Sequence, residues 1–164
     1  MDTQLQIVEL GREHRHWVVQ VLVEQWSSVN LVRRGMVTDA TQLPGFIAKY
    51  DGRAAGLILF EIQDRQCEIV ALASYAEGRG IGTALIEAVK QRATESGCTR
   101  LWLITTNDNL KAIRFYQKRG LRLAALYPNA LEESRKLKPE IPFMGMDGIP
   151  LRDEIELELL LDSA

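Results

Sequence analysis

The spacing of hydrophobic and polar residues predicts a chain that opens with a strand and then a helix. Residues 5–10 are mostly apolar, and the tryptophan, valines and leucine of residues 17–22 recur at the three- and four-residue spacing of an amphipathic helix. Residues 33–45 begin with Arg-Arg-Gly and end with Leu-Pro-Gly, so proline and glycine mark a turn before the next strand. We predict a loop or a broken helix over residues 33–45.

Three apolar runs then follow at short intervals. Residues 46–50, 54–62 and 67–73 are joined by Asp51-Gly52 and by the polar residues 63–66. Short polar connections between apolar runs are typical of antiparallel strands that pair with their neighbours in sequence. We therefore predict an antiparallel meander of three strands.

The next segment alternates between helical and strand patterns. Residues 80–96 repeat apolar positions every four residues, residues 101–104 are apolar on both alternating faces, and residues 109–119 are again helical and followed by Gly120. Residues 121–127 return as a strand. A mixed sheet with helices on both sides follows from this order of elements.

The last part of the chain has a different composition. Residues 136–150 carry three prolines and two glycines, which predicts a structureless stretch too long to be an idle connection. Residues 154–159 alternate glutamate with isoleucine or leucine, which predicts a final strand with one solvent-exposed face. Residues 155–161 could pair across the edge of a homodimer, the alternative being an exposed strand, which the glutamate-rich face favours equally.

Composition and charge narrow the class of protein. With 164 residues, 46% of them hydrophobic, the expected organisation is a single domain over residues 1–164. A net charge of −2 predicts no overall attraction to nucleic acid or to an anionic membrane. The start of the chain lacks a basic and apolar leader, and no run approaches the ~20 apolar residues that span a bilayer, so we predict a cytoplasmic protein.

Metal and disulfide chemistry are not indicated. Cys67 and Cys98 lie inside apolar segments without the paired spacing of a metal site, so we predict that both are reduced core residues. His14 and His16 are two residues apart, which on a helix points them to different faces, and we predict no metal.

Three glycines among residues 78–82 form the clearest chemical signal. The sequence Gly-Arg-Gly-Ile-Gly lies between a strand and an amphipathic helix, where free backbone amides and the positive end of the helix dipole attract an anion such as phosphate. Thr83 stands where a dinucleotide fingerprint needs glycine or alanine, and no Gly-Lys-Ser/Thr follows for a P-loop. A tight turn without a ligand is the alternative interpretation.

A second motif follows about thirty residues later. Residues 109–121 have the pattern Asn-x-x-Ala-x-x-Phe-Tyr-x-x-x-Gly-Leu, and with Arg-Gly-Ile-Gly at 79–82 the segment 46–127 strongly resembles the GNAT acetyltransferase superfamily. The resemblance implies the GNAT fold: an α/β (α+β) protein with a mixed, mostly antiparallel central sheet of six to seven strands flanked by helices on both faces. Glu77 departs from the Gln or Arg of the family pattern.

The resemblance also implies a binding site for acetyl-CoA, used as a co-substrate. The arm of the cofactor would pair with the edge of the strand at Leu72, Ala73 and Ser74, and the backbone amide of Leu72 would stabilise the developing oxyanion. Asn109 would form a hydrogen bond with the cofactor arm. The residues expected at the phosphates are Arg79, Gly80, Ile81, Gly82 and Thr83.

Acyl transfer to an amine also needs a base and a proton source. A lysine-like amine has a pKa of about 10.4 and is protonated at neutral pH, so a base must act directly or through water. By resemblance Glu68 is the candidate base, the alternative being a solvent-facing glutamate. Tyr116 is the candidate acid for the coenzyme A thiolate and also a cofactor contact, the alternative being a core tyrosine that packs on the sheet.

The acceptor is expected outside the cofactor motif. Residues 33–35, 134–136 and 138–150 would contact it, and arginine pairs could hold a carboxylate or phosphate on a small-molecule or peptide amine. The tail at 136–156 also resembles a bacterial GNAT subgroup of uncharacterised acceptor. Two other classes stay open: a non-catalytic acyl-CoA-binding or regulatory module on the same fold, and an interaction domain that binds no nucleotide.

Overall fold

The computed structural model describes residues 4–76 and 78–162, and Glu77 therefore lies outside the described residues. Strands and helices alternate along the chain, with short 3-10 turns between some of them. In chain order the elements are β1 (Leu5–Glu9), α1 (Arg15–Trp26), β2 (Asn30–Arg33), β3 (Met36–Asp39), β4 (Gly45–Tyr50), β5 (Arg53–Gln63), β6 (Gln66–Ser74), α2 (Ile81–Glu95), β7 (Arg100–Thr106), α3 (Leu110–Lys118), β8 (Arg122–Tyr127), α4 (Ala130–Leu137) and β9 (Glu154–Leu160).

The strands confirm a mixed α/β fold. In the described part of the chain, seven strands form a mostly antiparallel sheet in the order β1-β4-β5-β6-β7-β9-β8, and β2 pairs with β3. The residues of the chain group into two compact units, each with most of its contacts inside itself. Unit 1 comprises residues 1–29, 39–101 and 161–164, and unit 2 comprises residues 30–38 and 102–160. The single domain stays a prediction.

Unit 1 contains the predicted meander. β4, β5 and β6 pair antiparallel in sequence order, as the alternating apolar runs indicated. The predicted apolar stripe of α2 is buried, because Ile81, Leu85, Val89 and Ala93 are each at most 1% exposed. A Cβ on Gly56 of β5 would lie 2.5 Å from the Ile81 side chain, so glycine there lets α2 pack directly on the sheet.

The two cysteines are both buried and free in unit 1, as predicted. Burial raises the pKa of the Cys67 thiol from 9.0 to about 12, with smaller contributions from Cys98 and Glu68. Burial also raises the pKa of Cys98. Both side chains are therefore protonated core groups at neutral pH.

The loop or broken helix predicted for residues 33–45 is wrong for residues 33–39 and is confirmed for residues 40–44, where a 3-10 turn at Ala40–Gln42 precedes β4. Residues 30–39 form a β-hairpin whose turn is Arg34-Gly35, both with positive φ (51° and 71°). Two-residue hairpin turns of this kind favour Asn-Gly or Asp-Gly, so an Arg-Gly turn gives a weak signal in the sequence.

The predicted structureless stretch 136–150 is also wrong in part. The helix α4 runs to Leu137, a 3-10 turn occupies Met146–Gly148, and Met144 forms an isolated bridge with Pro150. Glutamates lie in the first turn of α4 and basic residues in its last turn, an arrangement that stabilises a short helix through its dipole.

The last strand departs from its predicted alternation. Glu154 was expected on a solvent-exposed face, yet it is 2% exposed. In the order of the sheet β9 has β7 and β8 as neighbours, so the prediction that it pairs across a dimer edge is wrong. The homodimer itself stays a prediction. No described helix is long and apolar enough to cross a bilayer.

Candidate functional site

The turn before α2 has the geometry expected of an anion site. Gly78 and Gly80 have φ angles of 76° and 74°, a backbone conformation that residues other than glycine rarely adopt. At both residues the position that a Cβ would occupy is open space. No side chain caps α2 at Gly80. The first N–H groups of a helix have no intrahelical partner, so those of Ile81 and Gly82 can bind a ligand.

The side chain of Arg79 contacts Tyr50, the last residue of β4. Its Nη1 atom donates a hydrogen bond to the Tyr50 hydroxyl at 3.0 Å, and its guanidinium carbon lies 5.1 Å from the centre of the Tyr50 ring. Both side chains are in unit 1. This contact holds the exposed guanidinium of a residue of the glycine turn against Tyr50.

A β-bulge on β6 determines which way Glu68 points. In the register with β5, Leu59 pairs with Ala71 and Phe60 with Ile69, so Val70 is an extra residue on β6. Beyond the bulge Glu68 pairs with Glu61. Simple alternation would have placed Glu68 on the same face as Val70, and the bulge moves it to the face of Ala71.

That face is the one that α2 does not cover. Gly56, which contacts Ile81 and Leu85 of α2, lies on the other face of β5, because it is an odd number of residues from Glu61. Glu68 is only 7% exposed. The alternative of a solvent-facing glutamate is therefore wrong, and Glu68 is a buried carboxylate on the sheet face opposite α2.

The end of β6 leads from this carboxylate to the glycine turn. Leu72, Ala73 and Ser74 pair with Ile58, Leu57 and Gly56 of β5, and exposure increases from the buried Ala73 to the exposed Ser74. The structure thus joins the predicted strand edge, the candidate base and the glycine turn within unit 1. Their contacts with a cofactor stay predictions.

Asn109 belongs to unit 2, where it is the N-cap of α3. Its Oδ1 atom accepts a hydrogen bond from the backbone N–H of Ala112 at 3.2 Å. Its Nδ2 group has no hydrogen-bond partner among the described residues, so capping holds the side chain in place and leaves an amide donor available. This geometry is compatible with the predicted bond to the cofactor arm.

Tyr116 is also in unit 2 and is 8% exposed. Its ring packs edge-on against Phe115, with ring centres 5.4 Å apart. Burial raises the pKa of the Tyr116 phenol above its usual range. A phenol in this position stays protonated at neutral pH, which suits a donor of a hydrogen bond or proton as well as a core residue.

Arg135, predicted to hold an acceptor anion, is engaged elsewhere. Its guanidinium donates to the backbone carbonyls of Ile141 (3.2 Å), Pro142 (2.7 Å) and Leu151 (2.5 Å), and it lies 4.3 Å from the centre of the Phe143 ring. These contacts give Arg135 a structural role in the ordering of the proline- and glycine-rich segment, and its contact with an acceptor anion stays a prediction.

The arginines of the hairpin have protein partners too. Arg34 donates its backbone N–H to both carboxylate oxygens of the buried Glu154 at 3.2 Å, and its guanidinium carbon lies 3.4 Å from the centre of the Tyr127 ring. Arg33 is buried and donates to the Thr38 hydroxyl. Glu154 thus anchors the hairpin, a role that the alternating pattern of β9 did not reveal.

Two further residues were missed because nothing local marks them. Asn107 and the buried Asp108 lie between β7 and α3 and accept hydrogen bonds from backbone N–H groups of residues 146, 152 and 153. A polar pair after a strand reads as an ordinary turn, and its partners lie about forty residues away. No group of three or more metal-ligating side chains occurs within residues 4–76 and 78–162.

Comparison with known proteins agrees with these features. Residues 12–121 match the acetyltransferase (GNAT) family. The chain is 41% identical over 149 residues to the uncharacterized protein YdhI of Bacillus subtilis (strain 168), which covers 90% of this chain and 93% of that protein.

Solved structures share the fold at lower identity. An IAA acetyltransferase from Bacillus cereus ATCC 14579 has a TM-score of 0.75 at 23% identity and covers 96% of this chain and 99% of that one. A GNAT family acetyltransferase from Elizabethkingia anophelis with acetyl-CoA bound has a TM-score of 0.70 at 19% identity, with 98% and 100% coverage. The glycine turn, the asparagine-capped helix and the extent of the family match together show that this chain belongs to the GNAT acetyltransferase family.

Proposed function

We propose that this protein is an N-acetyltransferase that moves the acetyl group of acetyl-CoA directly to a primary amine of a small molecule or peptide. The observation that supports it most is the glycine turn, where Gly78 and Gly80 leave open space beside uncapped helix amides. Pyrophosphate oxygens need such amide donors and such close approach to the backbone. The bound acetyl-CoA of the Elizabethkingia structure is consistent with this choice of ligand.

Acetyl-CoA would supply an activated acetyl thioester, and the chain would supply the groups around it. We assign the phosphates to the amides of residues 80–83 with Arg79 beside them, and the arm to the backbone of residues 72–74. The Leu72 N–H would donate to the carbonyl oxygen as negative charge develops on it. The free Nδ2 of Asn109 would donate to an amide oxygen of the arm.

Two proton transfers complete the reaction. As the amine nitrogen bonds to the acetyl carbon and the carbon–sulfur bond breaks, the amine loses a proton and the departing thiolate gains one. We assign the first proton to the Glu68 carboxylate, directly or through water, because Glu68 is buried on the β6 strand near residues 72–74. We assign the second to the Tyr116 phenol, which burial keeps protonated.

The test combines binding with turnover in one sample. Titration calorimetry with acetyl-CoA should give saturable binding, and a later addition of primary amines should release free thiol. Binding without amine-dependent thiol release would favour the non-catalytic acyl-CoA-binding module. Absence of binding would contradict the proposed function.

A further inference from the structure

The turn between β7 and α3 holds a distant segment of unit 2 in place. Asp108 is 3% exposed, and its carboxylate accepts hydrogen bonds from the Thr106 hydroxyl at 2.5 Å and from the backbone N–H of Met146 at 2.8 Å. A buried carboxylate is costly unless such donors satisfy it. The contact therefore links the turn firmly to residue 146.

The neighbouring Asn107 continues this attachment. Its Oδ1 atom accepts from the N–H groups of Arg152 (3.0 Å) and Asp153 (2.9 Å), and its Nδ2 donates to the Pro150 carbonyl at 2.9 Å. The backbone N–H of Asn107 also donates to the Asp153 carbonyl at 3.0 Å. We call residues 144–153, which are held in this way, the strap.

Gly145 shows how closely the strap approaches Asp108. A Cβ on Gly145 would lie 2.2 Å from Oδ2 of Asp108, far inside van der Waals contact. The φ of Gly145 is −97°, so other residues could adopt its backbone conformation. Glycine is needed at 145 because of this contact and not because of its φ. From the other side Arg135 holds the strap at the Leu151 carbonyl.

Asn109 follows directly after Asn107 and Asp108, the two residues that are bonded to the strap. Its backbone N–H donates to the Thr106 carbonyl at 3.1 Å, and its side chain caps α3 through Ala112. The position of the Asn109 amide therefore depends on the conformation of Thr106–Asp108, and that conformation depends on the strap. A shift of the strap would therefore move the residues that precede α3, and with them the Asn109 cap and its Nδ2 donor.

We propose that Asn107 and Asp108 are positioning residues, through which the strap orients the Nδ2 donor of Asn109 toward the arm of acetyl-CoA. This proposal rests on the proposed function, because it deepens the role of Asn109 there. The strap would thereby act on the affinity for acetyl-CoA. Misplacement of a donor by a change remote from the ligand is a recognised cause of lost affinity and rate.

The test is a double-mutant cycle on acetyl-CoA affinity, measured by titration calorimetry with acetyl-CoA alone. Gly145→Ala should weaken binding about tenfold, Asn109→Ala should weaken it by a similar factor, and the double variant should be no weaker than Asn109→Ala. Gly35→Asn, at an open positive-φ position in the same unit, is the control and should stay within about twofold of wild type. Circular dichroism checks that each variant is folded.

A gentler variant covers the case in which Gly145→Ala does not fold. Asn107→Asp keeps the oxygen that accepts from Arg152 and Asp153 but loses the donor to Pro150, and it should weaken acetyl-CoA binding about threefold. The same loss should vanish in the Asn109→Ala background.

The outcomes separate the two proposals. If the wild-type protein binds acetyl-CoA and the folded Gly145→Ala and Asn107→Asp variants bind it with the same affinity, the positioning role is overturned. The proposed function then stays intact. Additive losses in the double variants would also overturn it, because a merely structural role does not act through Asn109. If wild-type protein does not bind acetyl-CoA, the proposed function fails and this proposal fails with it.

Discussion

The glycine turn in unit 1 and the strap in unit 2 differ in what surrounds their glycines: open space in the turn, and the side chain of Asp108 at Gly145 of the strap. The turn has open space above two glycines and helix amides that no side chain caps, so it is shaped to receive a ligand group. The strap also contains two glycines, Gly145 and Gly148, but the side chains of Asn107, Asp108 and Arg135 hold it in place. Glycines thus accompany open space in one place and internal attachment in the other.

The difference shows what a glycine can mean. At Gly80 the positive φ and the open space point to a ligand, whereas at Gly145 the short approach to Asp108 points to a protein contact. Variants at these positions and at the proposed catalytic residues can break or sharpen the contrast.

The largest effect is expected at the buried carboxylate of unit 1. Glu68→Gln keeps size and hydrogen-bonding atoms but removes the base, so kcat should fall about 100-fold or more while the Kd for acetyl-CoA changes less than about threefold. The measurement is steady-state thiol release with any amine that supports turnover. Glu61→Gln, at the register partner on β5, is the matched control and should retain most of the activity. Equal losses in both variants would argue against Glu68 as the base.

The next effect concerns the glycine turn itself. Gly80→Ala places a methyl group in the open space and strains a φ of 74°, so acetyl-CoA affinity should fall about 30-fold by calorimetry. Gly97→Ala, at the opposite end of α2 with a φ of 80° and the same open space, is the control. Both variants should lose about 1 kcal/mol of stability, but only Gly80→Ala should lose affinity. Similar affinities in the two variants would mean that the turn does not bind the cofactor.

A smaller effect is expected at Tyr116. Tyr116→Phe should lower kcat about tenfold, because the thiolate loses its proton donor. Burial raises the pKa of this phenol above its usual value of 10.0, so it stays protonated across the usual assay range. The ratio of wild-type to Tyr116→Phe kcat should therefore be constant from about pH 7 to pH 10. A ratio that approaches one above about pH 9 would contradict this assignment.

The smallest effect tests the core of unit 1. Burial raises the pKa of Cys67 from 9.0 to about 12, so the unfolded chain loses this proton first as the pH rises. The stabilising contribution is complete below pH 9 and is lost as the pH rises toward 12, with a loss of about 1 kcal/mol expected by pH 10. The free energy of unfolding, measured with denaturant at pH 8 and at pH 10, should differ less between the two pH values in Cys67→Ala than in wild type. An identical difference would rule out this contribution of the thiol.

Much of unit 1 could be predicted because its signals are local. The three strands of the meander show as apolar runs with short polar connections, and α2 shows as a four-residue apolar repeat. The glycine turn shows as three glycines in five positions between a strand and a helix. Even here the bulge at Val70, which turns Glu68 to the face away from α2, depends on pairing with β5 and leaves no mark in the sequence.

Unit 2 was harder to predict because its structure depends on long-range side-chain contacts. Glu154 looked like the polar position of an alternating strand, but the backbone of Arg34, distant in sequence, satisfies its buried carboxylate. Arg135 looked like a free guanidinium in a basic stretch, but it binds three carbonyls of the segment that follows. Sequence patterns report periodicity and turns, and they do not report which distant partner satisfies a charge.

The central claim is that the glycine turn of this chain binds acetyl-CoA for transfer. The most direct measurement is calorimetric titration of acetyl-CoA into wild-type protein and into Gly80→Ala under identical conditions. We predict saturable one-site binding by the wild type and an affinity about 30-fold lower for the variant. Equal affinities, or no heat of binding with either protein, would contradict the claim.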